Sequence, residues 1–210
     1  MFRYFNDLND ETMTEMISKA SGLYNGIVGR LETTLDGWFL GLLARFLFAA
    51  VLLVYYLNSA ATKVGEGITG FFTIGDNAYF QILPSVVEAY GYDAAQVPFF
   101  PWDIIVFAGT YAEFLLPILI VLGLFTRLAA LGMIGFTLVQ SYVDIAFHGV
   151  DAKTIGAWFD RFSDAAILDQ RALWVFLLVY LVVKGAGAVS LDWVLGKKLL
   201  AKQSQQHAAA

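Results

Sequence analysis

Two charged residues, Arg45 and Glu113, stand inside stretches that are otherwise apolar. A lone ionised side chain in hydrocarbon costs about 2.5 to 3.5 kcal/mol on insertion scales, so each of them needs a partner. At 1.5 Å of rise per residue, Arg45 lies about 12 Å into the first apolar stretch and Glu113 about 13 Å into the second, counted from opposite ends. In antiparallel neighbours those depths nearly meet, and the sequence therefore predicts an intramembrane Arg45–Glu113 ion pair. Such a pair either marks a site for a ligand or a proton, or only sets the register of two helices. Pro117 stands four residues after Glu113 and has no N–H for the Glu113 carbonyl, which frees an acceptor beside the carboxylate. Gly109 and Thr110 share that helix face and would let a backbone or a ligand come close, although an ordinary proline kink produces the same pattern.

A second constellation lies further along the chain. Thr137, Gln140, Ser141, Asp144 and His148 recur at helical spacing on one stripe, and five polar groups on one face do not look at lipid. Together with Thr110 and Tyr56 they are expected either to line a polar cavity leading to Glu113 or to hydrogen-bond neighbouring helices. Asp144 and His148, four apart, could offer two metal ligands, but the other histidine, His207, is in the tail. No metal site is predicted, and a bis-histidine haem within one chain is excluded. The chain has no cysteine, which excludes thiol–disulfide exchange, iron–sulfur clusters and cysteine-ligated zinc. Lys184 either snorkels to the interface or faces the bundle.

The elements that must position these residues are set by composition. The 210 residues are 59% hydrophobic and 15% charged, with a mean hydropathy of +0.66, and the charges are left out of four long apolar runs. The fold expected is an all-α integral membrane four-helix bundle, with spans at about Trp38–Leu57, Ile104–Leu124, Leu128–Phe147 and Ala172–Val189, each near the roughly 20 residues that cross a hydrocarbon core. Residues 1–34 read as an amphipathic arm, with Met13, Met16, Ile17, Ala20, Tyr24, Ile27, Val28 and Leu31 on one face. Residues 35–191 form the membrane domain, and 192–210 a basic interfacial helix and tail. The loop 58–103 holds a lid-like helix through Tyr79, Ile82, Leu83, Val86, Val87 and Tyr90, capped by Asp76 or Asn77, and Asp169 reads as the N-cap of span four. Aromatic residues such as Tyr55, Trp102, Trp158, Trp174 and Trp193 suit interfacial belts.

Orientation follows from Lys and Arg near the span ends: Arg30, Arg127, Lys197, Lys198 and Lys202 fall on one side, and Lys63, Lys153, Arg161 and Arg171 on the other. That places both termini on the cytoplasmic side of the membrane. A net charge of −5 with no basic domain leaves no footprint for nucleic acid.

Three pieces of sequence carry a resemblance: Leu43-Ala44-Arg45 opening span one, the run from Gly109 to Met133 that contains LGLFTRLAAL, and Lys184-Gly185-Ala186-Gly187 leading to Ser190-Leu191-Asp192. Together they resemble the DoxX family of small bacterial membrane proteins over residues 35–200. The usual G-P-G before S-L-D stands here as Gly185-Ala186-Gly187, and the first outer loop is long. The resemblance implies a four-helix membrane fold and an association with respiratory redox chemistry, as a membrane component of a quinone-linked assembly. Quinone is the cofactor it suggests, and a soluble or membrane redox protein the partner. The residues contain no self-contained catalytic motif, and two other functions fit them: binding or transport of a small solute or organic anion, which would need a homo-oligomer for alternating access, and a non-catalytic membrane scaffold.

Overall fold

The computed structural model describes residues 2–198, with side chains from residue 12 onward. It is all-α, and among the described residues the one departure is an isolated antiparallel bridge between Val64 and Ile74. A long helix, α1 (Phe2–Leu35), precedes the bundle. Four helices are long and apolar enough to cross a membrane: α2 (Phe39–Ala61), α5 (Phe99–Leu122), α6 (Thr126–Ala146) and α7 (Ala166–Lys184). Between α2 and α5 lie the short α3 (Asp76–Ile82) and α4 (Pro84–Ala89). The last described residues, 191–198, are helical; the rest of the expected basic helix, with Lys202 and His207, lies outside the described residues.

The spans run up and down in sequence order. Each packs on the next, and α7 closes the ring against α2. Phe48, Leu52, Tyr56, Ile120, Met133, Leu178 and Leu181 fill the centre. Only 22% to 33% of each span's most apolar window is buried. The outward face is a continuous belt that includes Phe46, Val51, Leu115, Leu131, Leu138 and Phe176, each more than half exposed. No water-soluble chain of this size could show that belt; a multi-pass membrane protein requires it.

Boundaries differ from the sequence reading where local chemistry intervenes. Span one reaches Ala61 instead of Leu57 through a π-turn at Ala49–Leu53. That turn carries one extra residue, and the buried face runs at intervals of four through Ala44, Phe48, Leu52, Tyr56 and Ala60. Span four begins at Ala166, with another π-turn over Ala166–Gln170, and stops at Lys184 because Gly185 takes φ +83°. Asp169 therefore lies inside the first turn and is not the N-cap; its Oδ2 reaches back to accept from the Ala165 N–H at 3.0 Å. The lid is two helices, not one: Leu83 leaves helical geometry (φ −127°, ψ 48°) because it precedes Pro84. Neither Asp76 nor Asn77 caps α3, whose N-cap is Gly75. Asn77 instead donates to the Thr62 carbonyl at 2.9 Å and ties the lid to the end of α2.

At the end of the bundle where α2 begins, the three sequence pieces meet in one clasp. The Asp192 carboxylate accepts the N–H groups of Phe125 (2.7 Å) and Thr126 (2.9 Å), closing the N-terminus of α6. The Asp192 N–H donates to the Gly123 carbonyl at 2.8 Å. The Arg45 guanidinium donates to the carbonyls of Val121, at 3.1 Å, and Val189, sealing the C-terminus of α5 and the turn after α7. A Cβ on Gly41 would stand 2.7 Å from the Gly187 N, so α2 and this turn touch backbone to backbone. Arg127 adds a bond to the Val182 carbonyl at 3.2 Å.

Gly41→Ala should lower the melting temperature of the purified protein, at a cost of roughly 1 to 3 kcal/mol for the forced separation. Gly135→Ala, whose Cβ would enter open space, should leave it unchanged or raise it. Asp192→Ala should cost about 1 to 2 kcal/mol through the lost cap, read in the same melting experiment.

Candidate functional site

The opposite, loop end of the bundle holds the cavity. Its volume is about 580 Å³, and it lies between α5 and α6 beneath α3, with the end of α2 as its inner wall. Small residues make the space: Ala108, Gly109 and Ala112 on α5 face Gly132 and Gly135 on α6. A Cβ at Gly109 would stand 3.1 Å from the Ile82 side chain and one at Gly132 3.2 Å from that of Leu116, so the glycines set how closely lid and helices can approach. Ile105 and Val139 line the same space and are exposed on the apolar belt, Val139 by 62%. The cavity is therefore a lateral groove, open toward hydrocarbon between α5 and α6.

Its inner wall carries a buried ion pair, Lys63 with Glu113. Lys63 Nζ donates to Glu113 Oε2 at 2.7 Å, and the two residues are 2% and 4% exposed. The same Nζ donates to Ser59 Oγ at 2.9 Å and to the Ser59 carbonyl at 3.1 Å. Ser59 Oγ in turn points its proton at Glu113 Oε1 over 3.5 Å, which is long for such a bond. Lys63 lies just beyond α2, and its side chain runs back along Ser59 into the bundle.

The expected Arg45–Glu113 pair does not form. Arg45 meets Val121, eight residues and about 12 Å further along α5 than Glu113. Counting residues from the span ends gave nearly equal depths but ignored side-chain direction. Side chains on a helix tilt toward its N-terminus, and α2 and α5 run oppositely. Arg45 therefore leans toward the clasp, while Glu113 leans toward the loop end and finds Lys63.

The polar stripe of α6 divides in two. Gln140, Asp144 and His148 line the groove. Thr137 turns inward: its Oγ1 donates to the Met133 carbonyl at 2.8 Å and lies 3.3 Å from the Tyr56 hydroxyl. Ser141 Oγ donates to the Thr137 carbonyl and accepts from Arg171 at 3.0 Å. Tyr56 and Thr110, both buried, do not line the groove; the Thr110 hydroxyl has no partner. Asp144 forms a second ion pair, Oδ2 with Arg171 at 2.6 Å. Among the described residues no group of three acidic or histidine side chains could hold a metal. Lys184 is exposed and does not enter the groove.

Lys63, Ser59 and Arg171 escaped the sequence reading, which counted Lys63 and Arg171 as loop charges. The available signal was Ser59 and Lys63, four apart and continuing the inward face of α2 past the π-turn.

The lid closes the loop end. Gln81 donates to Thr62 Oγ1 at 3.0 Å, His148 Nε2 lies 3.2 Å from the Gln81 carbonyl, and Gln81 and Ile82 form the roof. Tyr111 donates to the Phe71 carbonyl at 2.7 Å, and Tyr79 to Asp103 Oδ1 at 2.8 Å. Burial, and then that acceptor carboxylate, push the Tyr79 pKa up to about 12, so this latch keeps its proton throughout the physiological range. No family model, curated protein or solved structure matches this chain.

Because the chain has no native cysteine, single cysteines read the groove without background. With a membrane-permeant maleimide, His148→Cys should label fastest and Gln140→Cys next, while Thr137→Cys should stay unlabelled until the protein is denatured. Equal labelling at 137 and 140 would contradict the division of the stripe.

Proposed function

We propose that this chain is a DoxX-like membrane component of a quinone-linked redox assembly in the bacterial cytoplasmic membrane, and that the lateral groove holds the quinone. The observation that carries this reading is the groove itself, a space of about 580 Å³ that opens onto hydrocarbon and is walled by small residues, with ionisable groups at its inner wall. Binding sites for small molecules are commonly concavities of this size, mostly apolar with a few placed polar groups. A lipid-soluble ring with an apolar tail fits that distribution: the tail along Ile105 and Val139, the head toward Glu113. Bound there, a quinone would supply two-electron, two-proton carrier chemistry that the chain's own side chains lack. The chain's residues would orient the head, exclude water beneath the lid, and present the Glu113 carboxylate to it. Electrons would come from a partner protein.

The charge distribution supports the orientation with both termini cytoplasmic. Lys63 and Arg171 are neutralised inside the bundle, which leaves Lys153 and Arg161 at the loop end against Arg30, Arg127, Lys184, Lys197 and Lys198 at the other. In that frame α1, apolar on the face of Met13, Met16, Tyr24 and Leu31 and exposed from residue 12 onward except at the half-buried Val28, Gly29 and Leu35, lies along the cytoplasmic leaflet. An organic anion is less well served by the groove, because Lys63 already spends its charge on Glu113.

Mass spectrometry of small molecules released from gently purified protein tests the proposal. Quinone should accompany the wild type in near-stoichiometric amount and fall severalfold in Gly135→Leu, which fills the groove where a side chain has room. Protein that carries no quinone, and takes none up when it is added, would remove this reading.

A further inference from the structure

The hydrogen-bonding inventory of the groove says more about its occupant than its shape does. An ammonium has three protons to give, and Lys63 gives all three inside the protein, to Glu113 Oε2, Ser59 Oγ and the Ser59 carbonyl. A ligand arriving with only acceptors, such as a carbonyl, an ether or a carboxylate, finds no unspent cation at this wall. The carboxylate beside it is in the opposite state. Glu113 Oε1 has only the 3.5 Å contact from Ser59, although an ionised carboxylate oxygen readily accepts two donors. Gln140 gives one amide proton to the Tyr55 hydroxyl at 2.9 Å, and its second amide proton and its Oε1 remain, so it serves a donor or an acceptor alike. At the mouth, His148 Nε2 faces the Gln81 carbonyl, which can only accept. The proton must therefore sit on Nε2, and in the neutral ring Nδ1 is a bare acceptor. At the inner wall the unspent atom of the ion pair is therefore an acceptor, Glu113 Oε1.

We propose that the groove selects an apolar molecule whose head is a neutral hydroxyl donor of phenol or alcohol type, with Glu113 Oε1 accepting its proton in a hydrogen bond. The inference rests on the reading of the groove as a ligand site, and it fixes the chemistry of the head group that site takes. A hydroxyl-bearing head satisfies Glu113 without disturbing Lys63. Of a quinone couple, the reduced hydroquinone carries such a head and is the member held more tightly; the oxidised, carbonyl-only member leaves the carboxylate oxygen short of a donor in a dry site, and an anion adds repulsion to that deficit.

Three probes with the same ring and tail separate these cases: para-heptylphenol, para-heptylanisole, whose methyl ether accepts but cannot donate, and para-heptylbenzoate. Each is titrated calorimetrically against the full-length protein in lipid nanodiscs, with empty nanodiscs as the reference for partition into lipid. The phenol should bind roughly tenfold or more tighter than either competitor, the worth of one hydrogen bond to a charged acceptor. Glu113→Gln should shrink that preference to within about twofold, and Gly135→Leu should abolish phenol binding. Should Glu113→Gln fail to fold, the ratio among probes on the wild type and the Gly135→Leu result still decide. Anisole or benzoate binding as tightly as the phenol overturns the donor-head inference while leaving the groove as a ligand site. Phenol binding that survives Gly135→Leu also overturns it, by placing the phenol elsewhere. No probe binding above empty nanodiscs overturns both the inference and the groove's role.

Discussion

In hydrocarbon there is no water to satisfy a charge or a helix end, so every such group must be closed by the chain itself. The buried Lys63–Glu113 pair is where this constraint acts hardest, because both groups are almost wholly enclosed and neither can stand there alone. Glu113 draws the end of α2 against the middle of α5 through Lys63. The lid follows, since Thr62 and Lys63 carry its anchors: Asn77 and Gln81 bond to Thr62, and the Gly75 N–H bonds to the Lys63 carbonyl at 2.9 Å. The same pairing that keeps a carboxylate inside the membrane thus sets the inner wall and roof of the groove.

The two ends of the bundle divide the work. Arg45 and Asp192 are closers of helix termini, and their hydrogen bonds go to backbone carbonyls and amides. They hold α2, α5, α6 and the turn after α7 in one clasp. The three sequence pieces that meet there, around Arg45, Gly123 and Asp192, speak to how the chain folds. The polar groups of the groove are at the other end, on Ser59, Lys63, Glu113, Gln140 and His148, where only Glu113 belongs to those sequence pieces.

The four spans were legible because exclusion of charge over about 20 residues is a long-range signal that no local feature can hide. Their limits were less so, since π-turns in α2 and α7 and the left-handed Gly185 shift where a helix starts or stops without changing its hydropathy. Glu113 was legible as a buried carboxylate needing a partner, but its partner was not. Depth counted along the axis treats side chains as points, whereas Arg45 and Glu113 lean away from each other by the length of their own stems. Lys63 was read as a loop charge because it follows the apolar run, yet its long side chain reaches back into it. Gln140, Asp144 and His148 were legible as lining a polar cavity; that Thr137 turns to the buried Tyr56 and Ser141 to Arg171 depends on which helices neighbour α6, and the sequence of one helix does not contain that.

The interdependence of Lys63 and Glu113 is tested most directly by a double-mutant cycle on melting of the purified protein, with Lys63→Met, Glu113→Leu and the two combined. Each single change leaves an uncompensated charge in the bundle and should cost roughly 3 to 5 kcal/mol. The double variant should recover most of that loss, because both charges are gone together. Additive losses would contradict the account, showing that the two residues act separately and that the groove's inner wall is held by something else.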